Sequence, residues 1–275
     1  MKYTRFILAA ALAAAAGMMY AEQPKVVAHR GYWTAPGSAQ NSIRSLVKAD
    51  SIGCYGSELD VWITYDSVLV VDHDGWINHL NVQGTHSSVY TKQKLANGET
   101  VPTLEEYLQA AVPLKTKLVL EVKPQDDNRL EAAGIKKIVA MVDKYGLNDR
   151  VDYITFSKNG FKNIIKAAPK GTSVQYLTGD YTPEEIKFLK GTGVDYHINV
   201  LRTQHPDWIK KCHDLGLTVN IWTVDSPEDL QWCIDNGADF ITTNYPERLQ
   251  ELLKASEQAK ATKIKGKKAK KNKKK

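Results

Sequence analysis

Two histidines, an arginine and three carboxylates stand along this chain in an order that suits attack on a phosphate ester. The apolar run Val26-Val27-Ala28 ends in His29-Arg30-Gly31. Then come Glu58-Leu59-Asp60, Val70-Val71-Asp72-His73-Asp74 and Val119-Leu120-Glu121-Val122-Lys123. In a strand, residues i and i+2 face one side, so Glu58 points with Asp60 and Glu121 with Lys123. Three carboxylates buried at strand ends cost several kcal/mol each unless a cation or a hydrogen-bond network compensates. Glu58, Asp60 and Glu121 are therefore candidate ligands of one divalent metal ion. An all-oxygen donor set selects a hard ion, Mg²⁺ or Ca²⁺, with Mn²⁺ also accommodated. Arg30 can oppose phosphate charge with a planar fork and Lys123 with a point charge. His29 and His73 supply acid-base chemistry near neutral pH, and the sequence leaves open which is acid and which is base.

Such groups work only if strand ends converge. Eight apolar strand-like runs do alternate with amphipathic stretches: Val26–Ala28, Ser57–Ile63, Leu118–Val122, Tyr153–Phe156, Ser173–Leu177, Tyr196–Asn199, Thr218–Thr223 and Phe240–Thr242. Helical patterns include Ile43–Asp50, Leu104–Ala111, Arg129–Lys144, Pro183–Leu189, Pro206–Leu215 and Pro227–Asn236. Several begin with Thr, Ser or Asp beside Pro, which suits a helix N-terminus. Eight units of this kind predict an α/β fold, a parallel (β/α)₈ TIM barrel, with the chemistry at C-terminal strand ends. Tyr65–Val70 reads as a turn and return strand that brings His73 back to the mouth. Gly75–Pro102, rich in Asn, Gly, Ser and Thr, reads as a short insertion over the active-site mouth, a lid or specificity loop.

The ordered boxes resemble the glycerophosphodiester phosphodiesterase family over Lys25 to about Leu253. They are His29-Arg30-Gly31, Gln40-Asn41-Ser42 in place of the family's Glu-Asn-Thr, Glu58-Leu59-Asp60-Val61, His73-Asp74 and Glu121-Val122-Lys123. Gln40 stands where the family usually has Glu, which removes a carboxylate near the first histidine. Trp222 resembles an aromatic that lines the family's site; the alternative is a barrel-core residue. The resemblance implies metal-dependent hydrolysis of a glycerophosphodiester to glycerol 3-phosphate and an alcohol. It also implies that the substrate's own glycerol hydroxyl attacks first, through a cyclic phosphate. The rivals are a phospholipase C or D acting on lysophospholipid or phosphoinositide, and a non-catalytic protein that binds anionic ligands at the envelope.

The two ends of the chain differ from its body. Met1–Ala21 has Lys2 and Arg5 ahead of an apolar, small-residue stretch and reads as a secretory signal peptide, so the protein is expected to be exported, to the periplasm or beyond. Residues 22–258 form the expected catalytic domain, and 259–275 a disordered lysine-rich tail. Lys260–Lys275 holds ten lysines and no acid, so the net charge of +6 conceals a body of about −6 once the signal segment is also set aside. The tail could contact anionic envelope surfaces or serve solubility alone. No specific nucleic-acid partner is expected. Cys54, Cys212 and Cys233 show no ligand spacing and read as buried thiols. There is neither a Gly-x-Ser-x-Gly elbow nor a nucleotide-binding glycine loop.

Overall fold

The computed structural model describes residues 23–272, with side chains to residue 259. The expected signal peptide, Met1–Ala21, lies outside the described residues. The elements run β1 (Lys25–Ala28), α1 (Ile43–Ser51), β2 (Gly56–Ile63), β3 (Leu69–Val71), β4 (Trp76–Ile77), β5 (Leu80–Asn81), α2 (Ser87–Tyr90), α3 (Leu104–Ala111) and β6 (Lys117–Val122). They continue as α4 (Asn128–Lys144), β7 (Val151–Thr155), α5 (Lys158–Ala167), β8 (Ser173–Tyr176), α6 (Pro183–Phe188) and β9 (Gly193–His197). The last are α7 (Trp208–Asp214), β10 (Thr218–Trp222), α8 (Pro227–Asp235), β11 (Phe240–Thr243) and α9 (Pro246–Asn272).

Parallel pairing runs β1-β11-β10-β9-β8-β7-β6-β2 and closes through β1 on β2, which makes an eight-stranded barrel. The strand alternation decides what goes where. On β2, Leu59 and Val61 face outward into the large core shared with the helices, while Glu58 and Asp60, which alternate with them, belong to the other face. Inside the barrel, Val27, Val119, Ile154 and Leu177 form a second apolar cluster, against which Phe156 and Trp222 pack. Most of the predicted helices begin where the sequence places them. Ser42 caps α1, Thr103 and Thr182 form capping boxes with Glu106 and Glu185, and Pro227 follows the Ser226 cap of α8.

Several boundaries differ from the sequence expectation by one or two residues, and three differences bear on the fold. β9 begins at Gly193 rather than Tyr196 and ends at His197, because Gly193 pairs with Thr218 and Gln175 in the sheet, where a Cβ would lie 2.3 Å from Thr218 Oγ1. α7 begins at Trp208 rather than Pro206, after a π-helical turn over Val200–Gln204. The third is at the C-terminus. The α9 backbone continues through Asn272, where the sequence predicts a tail without order from 259. Lysine and alanine are good helix formers, so the backbone can extend past Leu249, Leu252 and Leu253, which pack on the core.

β3 runs antiparallel to β2, with Val61 opposite Val71, and so returns Asp72, His73 and Asp74 to the C-terminal end of β2. The insertion that follows carries β4, β5 and α2 and has a small core of its own, Val70, Val82, Tyr90 and Val101. Among the described residues, no helix is long and apolar enough to cross a membrane.

One backbone position controls how β1 delivers its terminal residues. Gly31 has φ +75°, and a Cβ there would stand 2.2 Å from Ser45 Oγ and 2.8 Å from the Ser45 backbone carbon on α1. Gly31→Ala combines a left-handed backbone penalty with a clash against a fixed helix. It should lower stability by about 2–4 kcal/mol. Urea unfolding checks this, and an unchanged midpoint would contradict it.

Candidate active site

Register places the carboxylates. Asp60 on β2 and Glu121 on β6 are direct partners across the parallel pair, and Glu58 is two residues before Asp60 on the same face. One ligand oxygen from each of the three lies within 4.8 Å of the others, and all three side chains are buried. Lys123, just past the end of β6, puts its ammonium 2.7 Å from Asp60 Oδ1 and 2.8 Å from Glu121 Oε1. The sequence pairs Lys123 with phosphate, but its charge is engaged by these carboxylates.

The electrostatics follow from that packing. Burial, then the charges of Asp60 and Glu121, push the Glu58 carboxyl well above the usual range. Burial and the Asp60 charge take Glu121 up to about 8 despite Lys123. Burial acts on Asp60 too, but Lys123, His73 and a hydrogen bond from Asn41 outweigh it and hold Asp60 low. Lys123 is raised, because two carboxylates overcome its own desolvation. One ammonium thus answers part of the charge of three carboxylates. The residual negative charge and the oxygen donors fit a hard divalent cation.

The loop after β1 and the segment before α1 hold this cluster from above. The Arg30 backbone N–H donates to Glu58 Oε2 at 2.6 Å, and the guanidinium Nη1 donates to Gln40 Oε1 at 2.6 Å. Asn41 donates from Nδ2 to Asp60 Oδ2 at 2.8 Å and accepts from the Asp60 N–H at Oδ1. Ser42 caps α1. Each residue of the Gln40-Asn41-Ser42 box therefore has its own task. Because Gln40 is neutral, it orients the guanidinium without offsetting its charge.

The two histidines occupy different surroundings. His29 is held through Nδ1 by Asn244 Oδ1 at 2.9 Å. Asn244 donates from Nδ2 to Asp225 Oδ2 at 2.7 Å, and its Oδ1 also accepts from Trp33 Nε1. That pattern makes the Asn244 oxygen the acceptor, so Nδ1 of His29 carries the hydrogen and Nε2 keeps a free lone pair. Burial, with help from the Arg30 charge, lowers His29 to about 4 and keeps it neutral at pH 7. His73 sits at the rim, its side chain 33% exposed, with Nδ1 2.5 Å from the Asp74 carboxylate. Its turn is fixed by Asp72, which accepts from Tyr90 Oη and the Gly75 N–H, and by Trp62 Nε1, which donates to the His73 carbonyl.

His29, Arg30, Glu58, His73 and Glu121 share a central cavity of about 80 Å³. Trp222 lines it too, with Nε1 donating to the Asp195 carbonyl and its ring edge-to-face with Phe156 at 5.4 Å. Asp60 and Lys123 lie directly beneath. A wider groove of about 640 Å³ opens at His73, between Trp33 and Tyr245 on one side and Trp76 and Ile77 of the insertion on the other.

The model of the glycerophosphoryl diester phosphodiesterase family matches residues 29–248. The chain belongs to that family. A glycerophosphodiester phosphodiesterase of known structure from Parabacteroides distasonis is 46% identical, with a TM-score of 0.83 over 86% of this chain and 98% of that one. The glycerophosphodiester phosphodiesterase of Caldanaerobacter subterraneus is 26% identical over 83% of this chain and 97% of its own. An Oleispira antarctica phosphodiesterase, solved with its product sn-glycerol-3-phosphate, is 21% identical with a TM-score of 0.75 over 84% of this chain and 97% of that one, a likeness of fold. This phosphodiesterase is thus an enzyme on a (β/α)₈ barrel, as its sequence predicts.

Sequence reasoning missed Asn244, Asp225 and Asp195. The first two stand just beyond the C-terminal ends of β11 and β10, the same kind of position that identified His29 and Lys123. Their signal was weak because an asparagine and a loop aspartate are ordinary turn residues.

The raised carboxyls set a pH dependence. A group whose folded pKa lies above its unfolded one stabilises fully below the unfolded value and loses that contribution as pH rises through the folded value. For Glu121 the window runs from 4.5 to about 8. The melting temperature in excess chelator should therefore fall between pH 5 and 8. A saturating divalent cation should raise it by about 5–10 °C at pH 8 and by less at pH 5. Calorimetry checks both, and Glu121→Gln should flatten the metal-free profile.

Proposed function

We propose that the protein hydrolyses glycerophosphodiesters to glycerol 3-phosphate and an alcohol with a bound divalent cation, His29 acting as base and His73 as acid. The observation that carries the assignment is the contrast between the histidines: one buried, neutral and presenting a lone pair at Nε2, the other at the rim beside a carboxylate. Glu58, Asp60 and Glu121 are the residues that would hold the ion. When bound, a divalent ion polarises the phosphoryl group and eases ionisation of the attacking hydroxyl.

The chain's own groups do the rest. Nε2 of His29 takes the proton from the glycerol hydroxyl as its oxygen bonds to phosphorus. The bond from phosphorus to the head-group oxygen breaks, and His73 gives that oxygen a proton. Asp74 accepts from Nδ1 of His73, so Nε2 is the atom left to carry the transferred proton. Water then opens the cyclic phosphate, with His73 receiving the proton from water and His29 returning one to the glycerol oxygen. The departing alcohol faces the groove at His73, where space is ample. Arg30 offsets phosphoryl charge, while Lys123 serves by balancing the carboxylates. Trp222 and Phe156 form an apolar wall for the glycerol carbons.

The deciding experiment measures release of glycerol 3-phosphate from diesters with different head groups, alongside lysophospholipid and phosphoinositide, with and without chelator. Release should need the cation and favour water-soluble diesters; full turnover in excess chelator contradicts the reading. His29→Ala and His73→Ala should each lower kcat by about 10²-fold or more with the circular dichroism spectrum unchanged.

Gln40→Glu tests the balance around Arg30. A carboxylate in place of the amide would pair with the guanidinium, so KM for the diester should rise about 3- to 10-fold, with a smaller change in kcat. An unchanged KM would remove Arg30 from phosphate recognition.

A further inference from the structure

The central cavity is also lined by an aspartate that the chemistry above does not use. Asp195, on β9, is 1% exposed, and its Oδ1 has no hydrogen-bond partner among the described residues. Its neighbours are built to hold it. The Asn220 side chain stands beside the carboxyl and favours its charged form, and Asn220 is itself oriented because its Oδ1 accepts from Thr242 Oγ1 at 3.1 Å. The Asp195 carbonyl accepts from Trp222 Nε1 at 2.8 Å, which ties the strand backbone to the aromatic wall. Burial, then the Glu121 charge, pushes the Asp195 carboxyl well above the usual range.

An orphaned carboxyl oxygen is costly to bury, and here it lines a cavity rather than a packed core. Phe156, Leu177 and Trp222, which line the cavity with it, are apolar or present an apolar face. Thr223 and Thr242 also line the cavity, and an apolar collar with a buried carboxyl and hydroxyls beside it suits a small polyol. At about 80 Å³ the cavity matches the liquid share of roughly three waters, a space on the scale of a small polyol and far short of an acyl chain.

We propose that Asp195 determines specificity by hydrogen-bonding the terminal hydroxyl of glycerol, the one that neither carries the phosphate nor attacks it. The enzyme thereby selects deacylated glycerol diesters over those in which that hydroxyl is absent or acylated. The assignment rests on the hydrolytic reading above. A substrate without the hydroxyl leaves Asp195 buried and unpaired, a situation in which sites discriminate strongly.

The test uses the full chain with saturating Mg²⁺ or Ca²⁺ and three 4-nitrophenyl phosphodiesters. One is the diester of glycerol 3-phosphate. The second is that of propane-1,2-diol 1-phosphate, which keeps the attacking hydroxyl and lacks the terminal one. The third is the 1-acyl form of the first. Wild type should favour glycerol over propanediol by at least about 10²-fold in kcat/KM, and over the acyl form by more. Asp195→Leu should bring the glycerol-to-propanediol ratio within about fivefold, and Asp195→Asn, which can still hydrogen-bond a hydroxyl, should retain most of it. Should the leucine variant not fold, the comparison moves to calorimetric binding of glycerol 3-phosphate and propanediol phosphate to wild type and Asp195→Asn. A preference for glycerol 3-phosphate of at least tenfold in wild type, kept by the asparagine variant, supports the assignment; equal binding overturns it. Equal losses on both diesters in Asp195→Leu would show a merely structural residue and overturn it too. Wild type that cleaves glycerol and propanediol diesters equally well keeps the hydrolytic reading and overturns only the role of Asp195. Wild type that cleaves neither removes both.

Discussion

Three carboxylates confined to one end of a barrel repel one another, and much of the surrounding structure answers that repulsion. At about 4 Å and an effective dielectric constant near 20, each like-charged pair opposes folding by roughly 4 kcal/mol. The chain meets this with one ammonium set between Asp60 and Glu121, a backbone N–H on Glu58 and an amide on Asp60. These groups soften the charge without cancelling it, as the upward shifts of Glu58 and Glu121 record. The excess is what gives the site its affinity for a cation. A chain that fully neutralised the cluster would fold more easily and bind a metal less well.

The same constraint explains why short motifs are spread over distant parts of the sequence. His29-Arg30-Gly31 turns sharply because only glycine tolerates both the left-handed backbone and the contact with Ser45. That turn aims the Arg30 N–H at Glu58 and leaves the guanidinium to Gln40. Asn41 then reaches Asp60 from the other side of the loop. Histidine, arginine and the carboxylate pair are thus one connected unit, in which a displacement of the loop alters the charge state of the cluster as well as the position of the imidazole.

Around the cluster the space divides in two. The central cavity is small and lined by both charged and apolar groups, Asp195 and the aromatic pair Phe156 and Trp222 among them. The groove beyond His73 is larger and bounded by Trp33, Trp76 and Tyr245. A tight compartment joined to an open one at His73 matches a substrate with one invariant part and one variable part. The insertion, with its own small core, supplies one wall of the open side and leaves the barrel undisturbed.

The eight strands, most of the helix starts and the grouping of Glu58, Asp60 and Glu121 could be read from the sequence. Strand alternation, caps and i, i+2 spacing are local, and a charge that ends an apolar run must face either solvent or a site. What the sequence could not decide depended on contacts between residues far apart in the chain. Asn244 orients His29 across 215 residues, and only the closure of β1 on β11 brings the two together. Lys123 reads as a free cation until the β2–β6 register puts Asp60 beside Glu121 and encloses its ammonium between them. Asp195 resembles any strand aspartate until burial leaves one of its oxygens without a partner. The sequence by itself determined which residue types stand at the strand ends, because backbone periodicity is a property of neighbours. The tertiary structure decided their partners, protonation and orientation, because those depend on distance through space and on exclusion of water.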